Sequence, residues 1–226
     1  MLRIKINKFL FLLTFALLPS VVVCGKKAEK PDTITARRAF IEMPSGVLDL
    51  LPKDTRLDML DYYSNDSIWK ATNNLRGISY LEKVAPDYLS VKLTPVSSMQ
   101  FKVLKLKDGK EILMTVYTTG GEGENEDSDI EFYDARLNRL DKEKFFPTPK
   151  ISYFFDTKGY QTKMKEIEEI LPFYTIAFEA FPGLTDVEGR LTYKDAVSIE
   201  DGKIIEMFIR PSVKFIWDGK KFKTTE

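Results

Sequence analysis

Three Asp-Gly pairs, Asp108-Gly109, Asp201-Gly202 and Asp218-Gly219, each sit between apolar runs. Glycine enters left-handed backbone at little cost, so an Asp-Gly pair between strand-like runs closes a tight hairpin. Hairpins build antiparallel sheets, because parallel strands need long crossovers. The first pair would join Met99–Leu106 to Glu111–Thr118. The second would join Ala196–Ile199 to Lys203–Arg210, and the third would follow Val213–Trp217. Leu81–Val84, Tyr88–Leu93, Ile130–Tyr133, Phe173–Phe178 and Gly189–Tyr193 also read as strands.

Helical spacing occurs in three places. Thr35 caps a helix over Ala36–Met43, which Pro44 and Gly46 end. Asp54 or Thr55 opens a second over Arg56–Ser64, with Leu57, Leu60 and Tyr63 toward the core. A third, Thr162–Leu171, carries Met164, Ile167, Ile170 and Leu171 on one face. Runs of helix followed by runs of strand predict an α+β fold: antiparallel sheets with helices packed on one face.

The text also matches itself. Lys107-Asp108-Gly109-Lys110-Glu111-Ile112 resembles Glu200-Asp201-Gly202-Lys203-Ile204-Ile205, about 90 residues on. This predicts two similar helix-plus-meander halves, residues 35–146 and 147–226, the second packed on the first. Phe145–Phe155, rich in aromatics and proline, lies where it would staple the halves together or line a groove.

The N-terminus carries an address. Arg3, Lys5 and Lys8 precede an apolar stretch from Phe9 to Val23, then Cys24 and a polar linker over 25–34. That is a secretory signal over residues 1–24, too short and wrongly flanked for a spanning helix. Two fates are open. Val21-Val22-Val23-Cys24 reads as a lipobox that would lipidate Cys24, although Val23 is bulky for that position. Cleavage after Cys24 would instead release a soluble protein. Either way the expected location is outside the cytoplasm, in the periplasm or as an outer-membrane-associated lipoprotein. Cys24 is the sole cysteine, so no disulfide framework holds the body.

Composition narrows the chemistry. The chain has 226 residues and no histidine. This removes the commonest general base at neutral pH, and with it Ser-His-Asp, Cys-His and His-ligated zinc sites. No phosphate loop, dinucleotide fingerprint or nucleophile elbow is present. No cofactor is expected. Charge is balanced at 34 basic and 34 acidic residues, so there is no broad basic surface for nucleic acid. Any membrane contact would run through a lipid at Cys24.

One acidic segment stands out, Glu122-Gly123-Glu124-Asn125-Glu126-Asp127-Ser128-Asp129. Glu122, Glu124, Asp127 and Asp129 are weak calcium candidates, since calcium takes carboxylate oxygens on flexible loops. The ordered spacing of a helix-loop-helix calcium site is absent, and a solvated hairpin loop is the plainer reading. Asp58 and Asp61 share a helix face, where negative charge near a helix start has an electrostatic reason of its own.

Several strings resemble a known family. They are Thr35–Pro44, Arg56-Leu57-Asp58-Met59-Leu60-Asp61-Tyr62-Tyr63, Asp87–Thr94, Ser98–Leu106 and Phe215–Phe222. Together they are similar to the secreted bacterial family called domain of unknown function 3256, across nearly the whole body. The resemblance implies an exported α+β protein with no assigned activity and no catalytic residues to transfer. The expected function is therefore a non-enzymatic envelope module that binds an unidentified protein or small-molecule ligand. A carboxylate-based hydrolase of envelope glycans and an inhibitor using the 120–129 loop are the alternatives.

Overall fold

The computed structural model describes residues 33–64, 70–121, 124–158, 161–193 and 196–224. Residues 1–32, with Cys24, and Glu122 lie outside the described residues. The chain begins with α1 (Ala36–Glu42) and α2 (Lys53–Ser64). A seven-stranded antiparallel meander follows: β1 (Ala71–Thr72), β2 (Ile78–Ala85), β3 (Tyr88–Thr94), β4 (Ser97–Lys105), β5 (Glu111–Gly121), β6 (Glu124–Tyr133) and β7 (Arg139–Leu140). Then come α3 (Lys142–Phe145), a 3-10 turn at Ile151–Phe154 and α4 (Gln161–Ile170). β8 (Thr175–Ala180), β9 (Val187–Thr192), α5 (Ile199–Glu206), β10 (Val213–Trp217) and β11 (Phe222–Thr224) complete it. The last four strands form a second antiparallel sheet in the order β11-β10-β9-β8. The fold is α+β with two antiparallel sheets.

Strand alternation gives the large sheet two distinct faces. Leu89, Phe101 and Thr115 lie opposite one another on one face, with Val91 and Met99 beside them. Here α1 and α2 pack. Phe40 of α1 meets Phe101 edge-to-face, ring centroids 5.7 Å apart, and both are fully buried. The Thr35 hydroxyl accepts from Arg38 N at 3.1 Å, the cap expected from sequence.

α2 departs from expectation. It starts at Lys53, because the Pro52 carbonyl already accepts from Arg56 N. Its inner face is Arg56, Met59 and Leu60, while Leu57 points outward. The Arg56 guanidinium is buried against the end of α1, whose last carbonyls lack intrahelical donors. Its Nη1 donates to Phe40 O at 2.7 Å and Met43 O at 3.0 Å. Burial pulls the Arg56 pKa below its ordinary value.

The other face of the large sheet carries Tyr88, Lys102, Met114 and Phe132 in one row. Toward the β4–β5 turn this face is apolar and meets the small sheet in an aromatic core. Phe146 is fully enclosed, with Phe178, Phe215 and Phe222 all at 5.1 to 5.3 Å between centroids. The 145–155 segment thus staples one sheet to the other.

Three sequence expectations meet a different outcome here. Asp201-Gly202 closes no hairpin, and 196–199 and 203–210 are not paired strands. Both residues lie inside α5, capped by the Ser198 hydroxyl, which accepts from Asp201 N at 3.1 Å. Ser198 with an acidic residue three positions on is a helix start, and it outweighs one helical glycine. The textual repeat therefore matches a hairpin turn at 107–112 to a helix at 200–205, and seven strands stand against four. Two similar halves are therefore not confirmed among the described residues. The 120–129 segment also differs from a long loop. From Glu124 onward it is β6, with Asp127 opposite Thr119 and Asp129 opposite Tyr117.

Candidate functional site

An edge strand presents outward N–H groups with no strand to receive them. On β8 those groups end on side chains of the large sheet. Phe178 N donates to Ser128 Oγ and Ala180 N to Gln100 Oε1, each at 2.9 Å. The Thr175 and Thr192 hydroxyls donate to Glu126 O at 2.8 and 2.7 Å. Farther along, Lys102 Nζ donates to Phe181 O at 2.9 Å, and Gly183 N reaches the Asp87 carboxylate at 3.2 Å. β8 therefore runs diagonally across the large sheet, from β6 to the β2–β3 turn.

This seam has two sides because β8 and β9 alternate. Phe178, Val187 and Leu191 enter the aromatic core. Ala177, Glu179, Glu188 and Arg190 face the other way. Across from them the large sheet has turned polar, with Lys92, Ser98 and Thr118 in register. Between these two polar faces the angle stays open among the described residues. It is an open cleft of about 480 Å³, within the range that holds small ligands.

The cleft is acidic. Glu82, Glu126, Glu179 and Glu188 line it against Lys92 and Arg190. Arg190 pairs with Glu126 across the two sheets. Lys214 pairs with Glu188 at 3.5 Å. Glu179 has no ion pair among the described residues. Partial desolvation pushes its carboxyl above the ordinary glutamate value, although its outer part stays open to solvent, and the charges of Glu188, Glu126 and Glu82 push the same way. Arg190 opposes them in part. A carboxyl so placed holds its proton longer than a free glutamate and can donate a hydrogen bond or a proton to something in the cleft.

The residues singled out from sequence lie elsewhere. Alternation along β6 sends Glu126 and Ser128 toward the cleft and Asp127 and Asp129 to the opposite face. Asp129 pairs with Lys142 at 2.8 Å. Among the described residues no group of three or more aspartates or glutamates is arranged to hold a metal. Asp58 and Asp61 sit on the outer side of α2. The cleft residues went unread because each looks like an ordinary strand charge. The available signal was the alternation Val187-Glu188-Gly189-Arg190-Leu191, which marks one wet face but not what it faces.

Comparison with known proteins follows the fold. A solved structure described as a domain of an uncharacterised protein from Porphyromonas gingivalis W83 superposes with a TM-score of 0.68 at 18% identity. It covers 84% of this chain and 96% of that one, and shares the architecture. No curated protein matches the sequence. The model of one family matches residues 31–222, nearly all of the body described above. The chain belongs to that family, described as protein of unknown function (DUF3256).

Proposed function

We propose that this is an exported, non-enzymatic binding protein whose inter-sheet cleft receives a polar small-molecule ligand bearing a cationic group. One observation carries the reading. Four carboxylates face two cations in the cleft, Lys92 and Arg190. Arg190 is taken by Glu126 and Glu188 by Lys214 from outside the lining, which leaves Glu82 and Glu179 without an ion pair among the described residues, against Lys92 alone. An ammonium or guanidinium ligand would supply the missing charge, and Ser98, Thr118 and Gln100 would add neutral hydrogen bonds. Export rests on the segment from Arg3 to Cys24, and the absence of histidine weighs against acid–base catalysis at neutral pH.

The test is a nuclear magnetic resonance titration with polyamines and guanidinium compounds. Saturable shifts at Lys92, Ser98, Thr118 and Glu188, lost in Glu179→Gln, would support the reading. Shifts scattered over the surface, or the same binding in Glu179→Gln, would reject it. Intact mass of the native protein tests export separately, since an unprocessed start at Met1 contradicts it.

Glu179 also favours a second reading, a carboxylate-based hydrolase of envelope glycans with Glu179 as general acid. Turnover of cell-wall glycan fragments that disappears in Glu179→Gln would establish it. No turnover by the parent protein would remove it.

A further inference from the structure

We infer that a second pocket, on the helix-bearing side of the large sheet, binds an organic anion through its carboxylate or phosphate group. The pocket lies between the end of α1, the start of α2 and the turn that joins β6 to β7. It encloses about 400 Å³, larger than an inorganic ion requires. Lys53, Arg56 and Arg136 bring three positive charges to it. The one acidic side chain on its wall, Glu42, is paired with Arg38 at 2.9 Å. Asp134, behind the turn, is held by Arg136 N at 2.8 Å, Asn138 N at 2.9 Å and Asn138 Nδ2 at 2.8 Å.

Arg56 decides the matter. Its residue is 5% exposed, yet its Nε has no hydrogen-bond partner among the described residues. Nη1 is engaged with Phe40 O and Met43 O. The edge of the planar guanidinium that remains is the one Nε shares with Nη2. That edge presents two parallel donors, the geometry a carboxylate or phosphate accepts bidentately. A buried donor without an acceptor is costly to keep, and a bound oxyanion removes that cost. The first turn of α2 adds its positive dipole end at Lys53. Ile41, Pro44 and Leu137 supply an apolar wall for the rest of the ligand. The site is independent of the cleft, on the opposite face of the large sheet and toward its opposite end.

Hexanoate and phenyl phosphate are suitable probes, with hexylammonium as the control of opposite charge. The Arg56 Nε–H resonance reports on the site directly. Arg56 also ties α1 to α2, so the variant used is the exposed pair Lys53→Gln with Arg136→Gln, which leaves the buried guanidinium in place. Saturable binding of either anion below about 10 mM, movement of the Arg56 resonance and about tenfold weaker binding in the double variant are expected. The tighter of the two probes identifies the head group. The proposal is overturned by no saturation with either anion, by equal binding of hexylammonium, or by unchanged affinity in the double variant.

Discussion

Lys102 and Asp87 form an ion pair of 2.5 Å in which the lysine is almost wholly enclosed and the aspartate is one-third open to water. The ammonium also donates to Phe181 O. One buried charge thus joins β4, the β2–β3 turn and the chain just past β8, pinning the far end of the seam between the sheets.

Removing the aspartate charge leaves Lys102 charged and enclosed. Asp87→Asn should cost about 2–3 kcal/mol, less than the roughly 3–5 kcal/mol of a fully buried pair because Asp87 is partly solvated. Lys102→Met should cost less, since it removes the charge that needs a partner. Urea unfolding of both variants checks the order, and equal costs would contradict it. Desolvation raises the Asp87 carboxyl pKa, but the Lys102 bond and charge and the Gly183 N–H outweigh it, so the net shift is downward. A depressed carboxylate contributes stability above its unfolded pKa and loses it as pH falls through the folded value. Stability should therefore decline as pH drops below about 4, and decline less steeply in Asp87→Asn.

The seam makes a second demand. Ser128 Oγ and Gln100 Oε1 accept N–H groups that β8 cannot pair with another strand. Ser128→Ala leaves Phe178 N without that acceptor, and Gln100→Ala does the same to Ala180 N. Each should destabilise by about 1–2 kcal/mol. Amide hydrogen exchange at Phe178 and Ala180 should quicken in the matching variant and stay protected in the other. If neither amide changes, β8 is held by its side chains and not by its edge.

Much of this architecture was legible in the sequence, and the failures share a cause. Asp108-Gly109 and Asp218-Gly219 form turns with glycine at positive φ, 87° and 83°. Thr35 caps α1 as its chemistry requires. The alternation in Val213–Trp217 reads directly as buried and exposed residues. Asp201-Gly202 misled because an Asp-Gly pair names a turn only when no stronger local signal competes, and the Ser198 cap competes. Leu57 misled because Arg56 takes the inner face of α2, where the carbonyls at the end of α1 need a donor. The two pockets were illegible for a different reason. Glu82, Lys92, Glu179 and Arg190 become one site only when β8 crosses the large sheet, and no local pattern encodes that crossing.

Glu179 should titrate above an ordinary glutamate, because its desolvation and its acidic neighbours disfavour the charge. Arg190 opposes this shift, so Arg190→Gln should raise the midpoint further. A raised carboxyl contributes stability that is present below its unfolded pKa and is lost as pH rises through the folded value. Glu179→Gln should flatten that loss just above about pH 4.3, with an amplitude under about 1 kcal/mol because the group is solvent-exposed. Carbon-detected titration of the glutamate carboxyls reads the midpoint directly. A midpoint at or below the ordinary value would show that Arg190 dominates the cleft.

Gly189 tests the packing behind the cleft. It lies opposite Phe178 on β8 and Val213 on β10. A Cβ there would stand 2.8 Å from Phe215 Cε2 and 2.9 Å from Phe178 Cε1. Those rings meet edge-to-face at 5.8 Å, and both are enclosed. Neither can swing into solvent, so one methyl must push both rings deeper into the packed core. Gly189→Ala should destabilise by about 1–3 kcal/mol from overpacking, despite the roughly 0.5–1 kcal/mol gained by replacing glycine in a strand. The melting temperature should fall by about 2–4 °C per kcal/mol lost, for a chain of this size. Trimming the neighbour should relieve the clash, so Gly189→Ala with Phe178→Leu should be more stable than the two single effects added together. Simple additivity in this cycle would mean that the alanine methyl never meets the Phe178 ring, and that the core relaxes around position 189.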